Sequence, residues 1–71
     1  MAPTLTEITH PNRAVEVKLT DASRWVRGTE ITVEHHERAR GPYDPIRWTR
    51  HIVRVNGSEY TVDSDALRPT T

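Results

Sequence analysis

Apolar and polar residues alternate in three stretches of this chain, and the alternation predicts most of its fold. From Val15 the apolar positions Val15, Val17 and Leu19 are separated by Glu16 and Lys18. That period of two places three apolar groups on one face of a half-buried strand. After Gly28 the pattern resumes, with Ile31, Val33 and His35 pointing one way and Glu30, Thr32, Glu34 and His36 the other. The third stretch is "RHIVRVNGSEYTVDS", in which Asn56-Gly57 separates two β-rich runs. A type I′ turn needs positive φ at both central residues, and Asn-Gly supplies it. The turn sets the register: Val55 faces Ser58, Arg54 faces Glu59, Val53 faces Tyr60, Ile52 faces Thr61, His51 faces Val62 and Arg50 faces Asp63. One face then carries Val53, Val55, Tyr60 and Val62, and the other pairs Arg54 and Arg50 with acids across the strands.

The remaining segments punctuate this pattern. "LTEIT" is a weaker strand, set off by His10-Pro11-Asn12, where proline fixes φ and favours a turn. "TDASRWVRG" breaks the alternation; Thr20 or Asp21 can cap a single helical turn, Gly28 can end it, and Trp25 and Val26 plug one end of the core. "ARGPYDPI" opposes regular structure and joins two strands as a loop, and "SDALRP" is a short turn with Leu67 packing back. The expectation is one all-β domain over residues 1–71, with 1–4 and 69–71 flexible. Its architecture is a small five-stranded SH3-like barrel or bent antiparallel meander with at most one short helical turn.

A strand-NG-strand hairpin, a one-turn connector and a closing "ALRP" resemble the C-terminal half of SH3-like small barrels, including the KOW and Tudor-like groups. The resemblance covers residues 28–69. Gly28 followed by "TEITV" is similar to the start of the KOW pattern, although the further glycine of that pattern is missing and there is no Tudor-type aromatic cage. It implies a fold and not a function, since small barrels host many unrelated partners.

Composition sharpens this picture. Seven Val and four Ile stand against three Leu, with ten Thr besides, and β-branched side chains suit a pleated sheet. A chain of 71 residues buries only about 60% of its unfolded surface. With no cysteine, neither disulfide nor thiolate zinc can staple it. Packing or self-association must supply the stability, and a homodimer is one expected solution. No stretch approaches the roughly 20 apolar residues of a membrane span, and the N-terminus has no secretory signal pattern. These features predict a soluble, cytoplasmic protein that uses no membrane.

Net charge is zero, which removes the simplest case for a nucleic-acid partner. The charge is nonetheless uneven: Arg38, Arg40, Arg47, Arg50 and Arg54 share a span whose only acid is Asp44. Nine of the ten basic residues are Arg, which suits multidentate contacts and equally reflects a GC-rich genome, of a bacterium or its phage.

Candidate chemistry is sparse. His35 and His36 project to opposite faces of a strand and cannot chelate one metal together; His35 and His51 fall on the core face, where a histidine more often supplies a packed ring. No metal or cofactor is expected. Ser23, Ser58 and Ser64 lie in polar turns without a catalytic motif, there is no phosphate-cradling glycine loop, and the chain is read as non-enzymatic. What remains is the group Arg38, Arg40, Tyr43, Arg47 and Trp48 around the Pro-rich loop, with Trp48 on the face opposite Val53 and Val55, either exposed among the arginines or part of a second small core against the N-terminal segment. Trp, Tyr and Arg are enriched at binding hot spots. The leading expectation is therefore a module that binds another protein through these residues, a small regulator or accessory factor. The second is a nucleic-acid-binding barrel in which the same arginines meet phosphates.

Overall fold

A computed structural model describes residues 3–20 and 24–70. Among these residues six strands form one antiparallel sheet: β1 (Thr4–Thr9), β2 (Arg13–Val17), β3 (Val26–Arg40), β4 (Tyr43–Val55), β5 (Ser58–Val62) and β6 (Leu67–Pro69), with a single 3-10 turn at Ser64–Ala66 between the last two. Among the described residues no helix is long and apolar enough to cross a membrane. The strands run β5-β4-β3-β2-β6, and β1 also pairs with β3. The all-β antiparallel sheet with one helical turn is as expected, with six strands instead of five; β6 returns to pair with β2, and the sheet does not close into a barrel.

β3 is the spine. Its first half takes β2, from Arg13↔Glu30 to Val17↔Val26, and its second half takes β1, from Thr9↔Val33 to Thr4↔Glu37. Where one neighbour hands over to the other, Asn12 adopts φ 48° and the His10 ring lies 3.3 Å from both the Ile31 carbonyl and the Thr32 hydroxyl. The other edge of β3 pairs along its length with β4, and β4 with β5. The β4–β5 ladder has the register set by Asn56-Gly57 from Val55↔Ser58 to His51↔Val62, with φ of 50° and 82° at the two turn residues. Asp63 lies beyond that ladder as the cap of the 3-10 turn, so the expected Arg50–Asp63 pair does not form; Arg50 sits opposite Glu34.

Three further expectations are corrected. "ARGPYDPI" is not all loop: Gly41-Pro42 makes the turn and β4 already starts at Tyr43. Between the pairs Arg38↔Ile46 and Arg40↔Tyr43, β4 holds one residue more than β3. Pro45 falls in that bulge, where no ladder N–H is required. Leu67–Pro69 is not merely a turn, because it pairs with Val17, Glu16 and Val15 of β2. Gly28 ends no helical turn; it lies within β3, while the proposed capping residue Asp21 lies outside the described residues. A Cβ at Gly28 would come within 2.8 Å of both the Arg54 carbonyl oxygen and a Val55 methyl, so glycine is what lets the two strands approach there.

The core is small: Val15, Val17, Val53, Val55 and Val62, with Leu19, Val26, Ala66 and Leu67 packed partly against it. Trp25 is no plug. Its half-buried ring lies beneath the Arg68 guanidinium at 4.1 Å and near the Lys18 ammonium at 5.4 Å, a cation–π clasp at the edge of the sheet.

Candidate functional site

The register divides the sheet into two faces with different chemistry. On the concave face, strict alternation from Val33 would send Glu30 to solvent. The ladder instead shifts between Glu30 and Thr32, and one extra residue reverses which side chains face inward. Glu30 is thus fully buried beside the valines. One carboxylate oxygen accepts from Arg13 Nε at 2.7 Å and the other from His51 Nδ1 at 2.6 Å. His51, itself buried, has its Nε2 2.9 Å from Ser64 Oγ and 3.1 Å from Thr49 Oγ1. The two hydroxyls are 2.9 Å apart. A carboxylate only accepts, so His51 Nδ1 carries the proton, and in the neutral ring Nε2 presents its lone pair to the hydroxyls.

These contacts join β2, β3, β4 and the 3-10 turn, and among the described residues no buried polar side-chain atom lacks a partner. Histidine placement on the core face was legible in the sequence; its carboxylate and serine partners were not. They stand 21 and 13 positions away and meet only through the bulge and the turn. No group of metal-ligating side chains converges among the described residues. The network borders an open groove of about 790 Å³ walled in part by Glu7, His35, Arg47, Thr49 and Ser64.

The other face carries apolar groups toward solvent. Leu5, His36 and Trp48 form one row across β1, β3 and β4, Ile8, Glu34 and Arg50 the next, and Arg38 with Ile46 a third. Leu5, Ile8 and Ile46 are each nearly half exposed, at 45 to 47%. Trp48 is neither fully exposed nor core: half-buried, it lies flat on the His36 ring with centroids 5.6 Å apart and planes 12° from parallel. His36 Nε2 in turn contacts Glu34 at 3.1 Å.

The five residues singled out from the sequence are therefore distributed over three places. Arg38 and Trp48 share the outer face. Arg47 projects to the concave side and pairs with Glu37 at 3.0 Å. Arg40 and Tyr43 sit at the hairpin tip, where Arg40 Nε donates to the Asp44 carbonyl at 2.7 Å and Tyr43 is 73% exposed. Arg54 bonds Glu59 as the register requires. Arg38 and Arg50 make no ion pair among the described residues. Leu5, Ile8 and Ile46 were not legible in the sequence because none sits in a strong alternating run; the bulge in β1 between Leu5 and Glu7 is what brings Leu5 and Ile8 to the same face.

No family model, no curated protein and no solved structure matches this chain.

Proposed function

We propose that the protein acts by binding another protein through the outer face of β1, β3 and β4. The observation that carries this is the row-by-row placement of Leu5, Ile8, Ile46 and Trp48 on one side of the sheet, flanked by Arg38 and Arg50. An apolar strip set among arginines with no acid bonded to them complements a partner that offers an apolar ridge edged by carboxylates. The accessible surface of 5267 Å² exceeds the roughly 4,500 Å² of a compact protein of this mass. The excess is close to the ~800 Å² that one side of a standard interface buries.

Ile8→Lys combined with Ile46→Lys is the direct test. Both side chains are half in solvent, so the melting temperature should hold while capture of the partner by the immobilised protein is lost. Retained capture refutes this face. A mass that grows with concentration in sedimentation would identify the partner as a second copy. The same arginines support a second reading, nucleic-acid binding, which a labelled single strand and duplex titrated at low and moderate salt separate from the first. Little binding is expected; tight binding with a steep salt dependence would favour phosphate contacts.

A further inference from the structure

We propose that Ser64 is an activated nucleophile, the acceptor of an acyl group from neutral or cationic esters, with His51 as its general base and Glu30 as the residue that positions His51. This inference stands apart from the binding face and rests on four features of the concave side. Ser64 Oγ lies 2.9 Å from His51 Nε2. Glu30 Oε2 holds the other ring nitrogen at 2.6 Å, which fixes the tautomer so that the Nε2 lone pair faces the serine. Nucleophile bonded to base and base bonded to an orienting carboxylate is the arrangement that activates a hydroxyl. Third, the base and its orienter are buried while Ser64 is exposed in the groove, so the one group that must meet a substrate is the one that solvent reaches. Fourth, Arg13 occupies the second oxygen of Glu30, leaving Oε2 to His51.

The groove carries Glu7, Asp63 and Asp65 against one arginine, Arg47, which is itself paired with Glu37; the acidic excess disfavours anionic substrates and favours neutral or cationic esters.

The step balances without a cofactor. Ser64 Oγ attacks the ester carbonyl carbon as its proton passes to His51 Nε2. The carbon–oxygen bond to the leaving group breaks, and the leaving group departs with the electron pair. The imidazolium then returns its proton to the leaving group or to solvent, leaving acyl-Ser64. Thr49 Oγ1, 2.9 Å from Ser64 Oγ, is the nearest hydroxyl donor for the carbonyl oxygen as it gains charge.

The probe is p-nitrophenyl acetate, with acetylated serines located by peptide mass spectrometry. Ser58, exposed at the start of β5, is the internal reference. Ser64 is expected to be acetylated about a hundredfold faster than Ser58, the lower range for a positioned base. Ser64→Ala should remove the fast p-nitrophenolate release and keep the wild-type circular dichroism. His51→Gln should bring Ser64 down to the rate of Ser58. Should that variant fail to fold, wild-type protein in urea replaces it, where the preference for Ser64 must vanish. Equal labelling of the two serines in the native protein overturns the proposal, and so does a preference that survives unfolding.

Discussion

Glu30 is the residue on which the concave side depends. Among the described residues it is the largest side chain with no exposure, and both its oxygens are bonded. Removing it leaves His51 Nδ1 an unsatisfied buried donor in a site lined by valines, which costs about 1–3 kcal/mol, and the cavity left by a side chain with no exposure adds to that. A small domain has little more than about 5 kcal/mol to lose. Glu30→Ala is therefore expected to lack a cooperative melting transition at ambient temperature by circular dichroism, while Glu30→Gln, which retains an acceptor oxygen for His51, stays folded and less stable. A Glu30→Ala protein that melts like the wild type would show that the valines suffice. The sequence could not reveal this residue. Period-two counting is reliable within an unbroken ladder, and the extra residue near Ile31 that turns Glu30 inward has no local signature, being set by partners brought from β2 and β4.

Elements with local instructions were the legible ones. Asn56-Gly57 carries its own backbone preference, and the β4–β5 ladder follows it pair by pair. β6 has only three residues and ends in proline, so its strand character comes from β2 and not from itself. The outer face was half legible: alternation placed Trp48 with Arg50 and Ile52, but it could not show that β1 would lay Leu5 across His36. Gly28 tests the fit between β3 and β4. Alanine there meets backbone and a core methyl at 2.8 Å, and overpacking of this kind costs about 1–3 kcal/mol. Urea denaturation of Gly28→Ala should give a midpoint well below the wild type; an unchanged midpoint would mean that the strands part at no cost.

At the scale of the whole molecule, the long β3–β4 hairpin reaches past the valine core. The radius of gyration is 13.7 Å with extents of 42 × 26 × 22 Å, whereas a compact chain of this length has about 11 Å. Small-angle scattering from the monomer should return a radius clearly above the compact value, and a result near about 11 Å would mean that the hairpin folds back on the core. The opposite end of the sheet behaves differently. β6 is held to β2 by three register pairs, and its Glu16–Arg68 contact spans 52 positions, so its formation carries the entropy of closing a long loop. With the longest loop to close, it is expected to be the first ladder to release. When it lifts, Val15 and Val17 lose their cover and β2 becomes a bare apolar border ready to recruit another chain. Heat or crowding would then start aggregation at this short terminal strand, and the conspicuous hairpin would be a bystander.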